Sequence, residues 1–177
     1  MTSRSRQTND NQRFAEWGRQ YGGAVRGYLL AMVRRVDVAE DLTQEVFCRA
    51  WRARRGYREQ GNARAYLLRI ADRLVCDHHR KSGREVNLDE ESWKQVEPAG
   101  RVAEPPEKLV REEAGEQLAA AMEKLTAAQR RVLLLRYYGE MSFAEIAETM
   151  DCPVNTALSH CRRGLLTLRK ILVENAP

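Results

Sequence analysis

Thr126–Lys170, TAAQRRVLLLRYYGEMSFAEIAETMDCPVNTALSHCRRGLLTLRK, is the stretch that decides how this chain folds. Thr126 is followed three residues later by Gln129, and Ser142 by Glu145. In such a capping box the hydroxyl accepts the third residue's backbone N–H, and the longer polar side chain returns to the first residue's own N–H. The first box predicts a helix through Tyr137, with Gly139 placed to end it. The second predicts a short helix to about Met150, after which Asp151-Cys152-Pro153 makes a turn. Pro153 suits the first position of a last helix, Pro153–Val173. Two boxed helices, a tight turn and a further helix are the pattern of a helix-turn-helix. On the last helix Val154, Ala157, Cys161, Gly164, Leu165, Leu168 and Leu172 fall on one arc. Asn155, Thr156, Ser159, His160, Arg162 and Arg163 cover the other. Short polar side chains and arginines near a helix N-terminus suit the base edges and phosphates of a major groove. A two-sided helix is common in any bundle; the capped helix and tight turn before this one are what favour DNA.

Moving upstream, residues 83–108 break the helical spacing with Gly83, Pro98, Gly100, Pro105 and Pro106 and carry much acid. This is a linker by composition. Trp93 and Val96 within it either dock on a surface or stay exposed. Before the linker, apolar spacing predicts a helix over Phe14–Val36, with Gly22-Gly23 marking where it could bend. A second helix follows to about Arg55, then a loop over Gly56–Asn62 and a third helix over Ala63–Lys81. Tyr66, Leu67, Ile70, Leu74 and Val75 are the apolar positions of that third helix. Met1–Asn11 is polar and expected to fray. No segment shows the alternation of a strand. The expected fold is all-α: two small helical domains, residues 12–83 and 109–173, joined by a flexible acidic linker over 84–108, the C-terminal domain a helix-turn-helix.

Charge separates the parts. Residues 1–86 hold 18 Lys/Arg against 10 Asp/Glu, residues 87–113 hold 4 against 8, and residues 114–177 hold 8 against 7. Within the basic first part lies an acid-faced helix, Asp37–Trp51, DVAEDLTQEVFCRAW. At roughly 100° per residue, Asp37, Glu40, Asp41, Gln44 and Glu45 share one arc, and Ala39, Leu42, Val46, Phe47 and Ala50 the opposite one. That face would repel the phosphates its flanks invite, which points to two partners, a nucleic acid and a basic protein surface. A merely solvated face is the alternative. Beyond it, Arg58, Gln60 and Asn62 sit on the loop, with Arg64, Tyr66, Arg69, Arg73, His78, His79 and Arg80 on the next helix. Cations interleaved with aromatics suit single-stranded nucleic acid, where bases stack and cations track phosphates. A glycine-flanked loop could also receive an unstacked base. A solvated basic helix would look the same.

Other chemistry finds little support. Cys76, His78 and His79 lie close in sequence, as do Cys152, His160 and Cys161, yet neither group has zinc-ligand spacing. Cys76 and Cys161 read better as small core residues, and no metal or cofactor is expected. There is no glycine-rich phosphate loop, nucleophile elbow or triad, so an enzyme is not expected. The first twenty residues are polar, unlike a signal peptide, and no apolar run reaches the roughly 20 residues of a membrane span. A soluble cytoplasmic protein without membrane insertion is the expectation.

Taken together, these residues resemble a bacterial RNA polymerase sigma factor of the extracytoplasmic-function class, the minimal two-domain kind. DVAEDLTQEVFCRAW is similar to that family's core-binding helix, and ARAYLLRIADRLVCDHHRK to the helix that follows it. LTAAQRRVLLLRYYGEMSFAEIAETMDCPVNTALSHCRRGLLTLRK resembles its C-terminal helix-turn-helix domain. The resemblance spans about Phe14–Lys81 and Leu109–Leu172.

It implies that Asp41, Gln44 and Glu45, with Asp37 and Glu40 beside them, meet the coiled coil of the polymerase clamp. The Gly56–Asn62 loop and the next helix would capture a flipped base of the promoter −10 element and hold the opened strand, through Arg58, Gln60, Asn62, Arg64, Arg69, Arg73, His78 and Arg80. The last helix would read the −35 element as duplex, through Asn155, Thr156, Ser159, His160, Arg162 and Arg163. Core RNA polymerase, promoter DNA and an anti-sigma factor are the implied partners. Two departures stand out. Leu158 and His160 occupy positions that are often basic in the family, and Leu158 either meets a thymine methyl or packs. Asp72 also stands where relatives are often basic, which puts one phosphate contact in doubt, with Arg73 beside it able to compensate. A palindrome-binding helix-turn-helix regulator and a protein-only helical adaptor are the competing readings. The first lacks a dimer or effector signal, and the basic first module speaks against the second.

Overall fold

The computed structural model describes residues 3–54, 62–82 and 115–174. Among these all regular structure is helical: α1 Ser3–Val33, α2 Val36–Ala53, α3 Ala63–Ser82, α4 over the described residues 115–123, α5 Ala127–Gly139, α6 Phe143–Met150 and α7 Val154–Glu174. The chain divides into two compact units, one holding α1–α3 and the other holding α4, α6, α7 and most of α5.

In the first unit all three helices pack on one another. Val25, Tyr28 and Leu29 of α1 are fully buried with Val46 and Ala50 of α2 and Leu67, Leu68, Ala71 and Val75 of α3. Asp72 belongs to the same buried set. It lies four residues after Leu68 and three before Val75, so the helical period carries it inward. Its Oδ1 accepts a 2.6 Å hydrogen bond from the Tyr28 hydroxyl. Asp72 is thus turned away from any phosphate, and its carboxylate ties α3 to α1.

Three expectations for α1 need correction. α1 starts at Ser3, because extending an existing helix adds a hydrogen bond per residue without a new nucleus. It stays helical through Gly22-Gly23, anchored on either side by buried Trp17 and Val25. It ends at Val33, three residues early, because Arg34 turns left-handed (φ 56°) and Arg35 is extended as the residue capping α2. Arg35 makes no side-chain capping bond, so nothing in the sequence announces this corner.

The second unit has its punctuation where it was expected. Gln129 N–H donates to Thr126 Oγ1 (3.3 Å) and Thr126 N–H to Gln129 Oε1 (3.1 Å). Glu145 N–H donates to Ser142 Oγ (3.3 Å) and Ser142 N–H to Glu145 Oε2 (2.9 Å). At the end of α6, Asp151 is left-handed; Cys152 N–H reaches Ala147 O at 3.0 Å and Asp151 N–H reaches Glu148 O at 3.4 Å. This is a Schellman closure with aspartate where glycine is usual. At the end of α5 the left-handed residue is Glu140, one beyond Gly139.

Three arginines of α5 then fasten its neighbours. Buried Arg130 donates to the carbonyls of Met122, Glu123 and Leu125, satisfying groups that the end of α4 leaves open. Arg131 reaches Thr149 O, and Arg136 reaches Met141 O with its guanidinium over the Phe143 ring. Gly164 lets α7 approach α5 closely: a Cβ there would lie 3.0 Å from Leu133 Cδ1.

α7 begins at Val154, since the Pro153 carbonyl already accepts from Thr156 and Ala157 and Pro153 acts as the preceding cap. Its buried arc is Ala157, Cys161, Gly164 and Leu168, while Val154 and Leu165, expected on that arc, stand in solvent. The other helices of this unit cover only the narrower stripe. Cys161 is buried as expected, and burial raises its thiol pKa. Cys76 is exposed, not a core residue, because it follows Val75 onto the outer side of α3.

Candidate functional site

The acid ridge of α2 projects as its periodicity required. Asp37, Glu40, Asp41 and Gln44 are exposed and Glu45 half-buried, opposite buried Ala39, Val46 and Ala50. Most of its carboxylates already have a cation. Asp37 pairs with Arg35, Glu40 with Arg26 of α1 at 3.3 Å, and Glu45 with Arg49 at 2.7 Å and Arg52 at 3.9 Å. Hydrogen bonds from Arg35 and Arg49 hold the Asp37 and Glu45 carboxyls below the usual carboxylate range. Asp41 and Gln44 have no partner among the described residues. Hence the centre of the ridge is open while its edges are neutralised. The Arg49–Glu45 pair was legible as an i, i+4 spacing. The Arg26–Glu40 pair was not, since only packing brings α1 beside α2.

The second group of expected residues surrounds the break between α2 and α3. Arg58 and Gln60, with the rest of the loop up to Gly61, lie outside the described residues. Asn62 caps α3: its Oδ1 accepts the Ala65 N–H at 3.0 Å. Arg64, Arg69 and His78 are half-buried, and Arg73 and Arg80 exposed. Arg80 pairs with Asp77 at 2.7 Å, whereas Arg73 has no partner among the described residues. An aromatic cluster braces the helix ends here. Phe14 meets Trp17 at 4.8 Å and Trp51 at 5.2 Å between ring centroids, and Trp17 meets Tyr66 at 6.2 Å. The Arg54 guanidinium lies 4.1 Å over Trp51 and donates to the Trp51 carbonyl. Sequence reading placed only Tyr66 in this group. Phe14, Trp17 and Trp51 come from two other helices and were not seen to converge.

On α7, Asn155, Ser159, Arg162 and Arg163 are exposed and Thr156 and His160 half-buried. Arg163 Nε donates to the Ser159 carbonyl (3.3 Å), while Arg162 has no partner among the described residues. His160 Nδ1 is enclosed and likewise without a hydrogen bond among them. Among the described residues no three His, Cys, Asp or Glu side chains converge as metal ligands would, and no helix is long and apolar enough to cross a membrane.

Two family descriptions match this chain, Sigma-70 region 2 over residues 19–85 and Sigma-70 region 4 over residues 115–168. The chain belongs to the sigma-70 family, in its extracytoplasmic-function class. As a sigma factor it binds core RNA polymerase and directs promoter recognition and opening at transcription initiation. It is 28% identical to the ECF RNA polymerase sigma factor SigK of Mycolicibacterium vanbaalenii, over 92% of this chain and 83% of that one. It is 29% identical to the ECF RNA polymerase sigma factor SigW of Bacillus subtilis, over 92% and 90%. In fold this sigma factor is similar to RpoE of Bartonella quintana, solved in complex with the anti-sigma factor NepR: TM-score 0.69, 21% identity, 93% of this chain and 99% of that one. It is also similar to CnrH in complex with the cytosolic domain of CnrY: TM-score 0.64, 20% identity, 94% and 91%. In this sigma factor the acid ridge falls in the region 2 match and α7 largely in the region 4 match.

Proposed function

We propose a division of labour among three surfaces of this sigma factor. The ridge of Asp37, Glu40, Asp41, Gln44 and Glu45 grips a basic surface of core polymerase. The segment around the α2–α3 break, with Arg58, Gln60, Asn62, Arg64, Arg69, Arg73, His78 and Arg80, holds the opened −10 strand. Asn155, Thr156, Ser159, His160, Arg162 and Arg163 of α7 read the −35 duplex. Residues 12–83 then serve the first two tasks, residues 109–173 the third, and the acidic segment 84–108 connects them. One observation carries this reading: Asp41 and Gln44 stand exposed and unpartnered among the described residues, on a ridge whose other carboxylates are paired. An open carboxylate on a basic domain is complementary to a cationic protein and repelled by phosphate.

The protein performs no chemistry of its own and works in the cytoplasm, where its polymerase is. The complexes of RpoE with the anti-sigma factor NepR and of CnrH with CnrY support an anti-sigma factor as a further partner here.

The test is Asp41→Lys. Association with core polymerase is lost in a pull-down while circular dichroism stays unchanged, because the exposed side chain has no hydrogen bond or ion pair among the described residues. Association at the wild-type level refutes the ridge as the grip. In a gel shift, specific promoter binding requires core polymerase; tight specific binding by the chain alone would instead indicate an operator-binding regulator.

A further inference from the structure

The outer side of α7 is not uniformly polar. Val154 and Leu158 are each 42% exposed although both precede a buried neighbour on the same helix. On a helix surface the neighbours of a residue are those three and four positions away. For Leu158 these are Val154 and Asn155 on one side and buried Cys161 and exposed Arg162 on the other. An apolar branch thus stands between an amide and an arginine that has no partner among the described residues. The surrounding charge has one sign. From Val154 to Val173 the helix has Arg162, Arg163, Arg169 and Lys170, all exposed, and no carboxylate before Glu174.

That combination suits a polyanion with an apolar feature at base-edge depth. In a major groove the thymine 5-methyl is that feature, flanked by polar edges that Asn and Arg can take. An acidic protein would meet the same cations; exposed Leu165 and Leu166 continue the apolar surface farther along α7, away from the N-terminal turns where Asn155, Leu158 and Arg162 stand together.

Building on the reading that α7 enters the −35 duplex, we propose that Leu158, buttressed by Val154, reads a thymine methyl there. Asn155 and Arg162 then take polar edges of adjacent bases. Leu158 is a specificity-determining residue that confers a preference for thymine.

The experiment uses holoenzyme assembled from the full chain and core polymerase. The preferred −35 duplex is first selected from a randomised pool. Each thymine in it is then replaced singly by uracil, which removes only the methyl group. At one position the replacement weakens wild-type binding about fourfold, the factor for burying one methyl at about 0.8 kcal/mol. In Leu158→Ala holoenzyme the same replacement has no effect, and Leu158→Met keeps the thymine preference. The inference is overturned if no uracil replacement matters although scrambling the −35 duplex does, or if the effect persists in Leu158→Ala. It is equally overturned if Leu158→Ala weakens association with core polymerase, which would assign the side chain to a protein contact. Indifference of the wild type to scrambling would remove the underlying −35 reading itself.

Discussion

The Tyr28 hydroxyl donates a 2.6 Å hydrogen bond to the Asp72 carboxylate, with both residues shut off from solvent between α1 and α3. A buried carboxylate is tolerated only when its oxygens are satisfied. Tyr28→Phe removes one donor and leaves the acceptor in place. We expect it to lower unfolding free energy by about 1.5–3 kcal/mol, the range for a hydrogen bond to a charged group. Urea denaturation of the full chain measures it. Asp72→Arg buries an unmatched cation; it abolishes cooperative unfolding of the first unit and adds no DNA affinity.

Gly22 and Gly23 sit in the interior of α1, where a Cβ on either would meet nothing within 4 Å. Glycine in a helix interior is destabilising by roughly 0.5–1 kcal/mol relative to alanine. Gly22→Ala and Gly23→Ala each raise stability by about that amount, read as a higher midpoint in thermal melts. Gly164→Val is the contrasting substitution. Its branched side chain enters the close approach to Leu133 and Gln129 and lowers the midpoint of the second unit.

Burial lowers the pKa of His79 below its ordinary 6.5, with the charge of His78 acting in the same direction and a hydrogen bond with the Met32 backbone opposing it. A histidine whose folded pKa is depressed binds its proton first in the unfolded chain. Stability of the first unit is therefore at its full value above 6.5 and falls as pH drops from there toward the folded pKa. His79→Gln flattens that part of the profile, as denaturant midpoints collected between about pH 5 and 8 would reveal.

Arg162 and Arg163 are adjacent but not equivalent. Arg163 already donates to the Ser159 carbonyl, and Arg162 projects without a partner among the described residues. Arg162→Ala lowers holoenzyme affinity for the −35 duplex by on the order of 1–3 kcal/mol and relaxes specificity at one base pair, as expected for a base-edge contact. Arg163→Ala produces a smaller, sequence-independent loss with a shallower salt dependence. Competition binding at two salt concentrations separates the two.

The helices and their capped starts in the second unit were readable because they rest on local contacts. Thr126 with Gln129 and Ser142 with Glu145 are partners three residues apart, and no distant group is needed to form them. The acid arc of α2 was readable for the same reason, since helical period alone separates Asp41 and Gln44 from Val46 and Ala50. The corner at Arg34 was not, because a non-glycine residue takes the left-handed conformation there without a local signal.

Residue order was thus enough for the all-α class, the helix-turn-helix and the opposed acidic and basic surfaces, all of which arise from neighbours within about one helical turn. Packing between helices settled the remainder: Asp72 turned inward, Glu40 beside Arg26, four aromatic rings gathered at the α2–α3 break, and Leu158 left in solvent. Those outcomes depend on which side chains from distant parts of the chain meet and how wide a stripe they cover, and periodicity along a single helix does not contain that information.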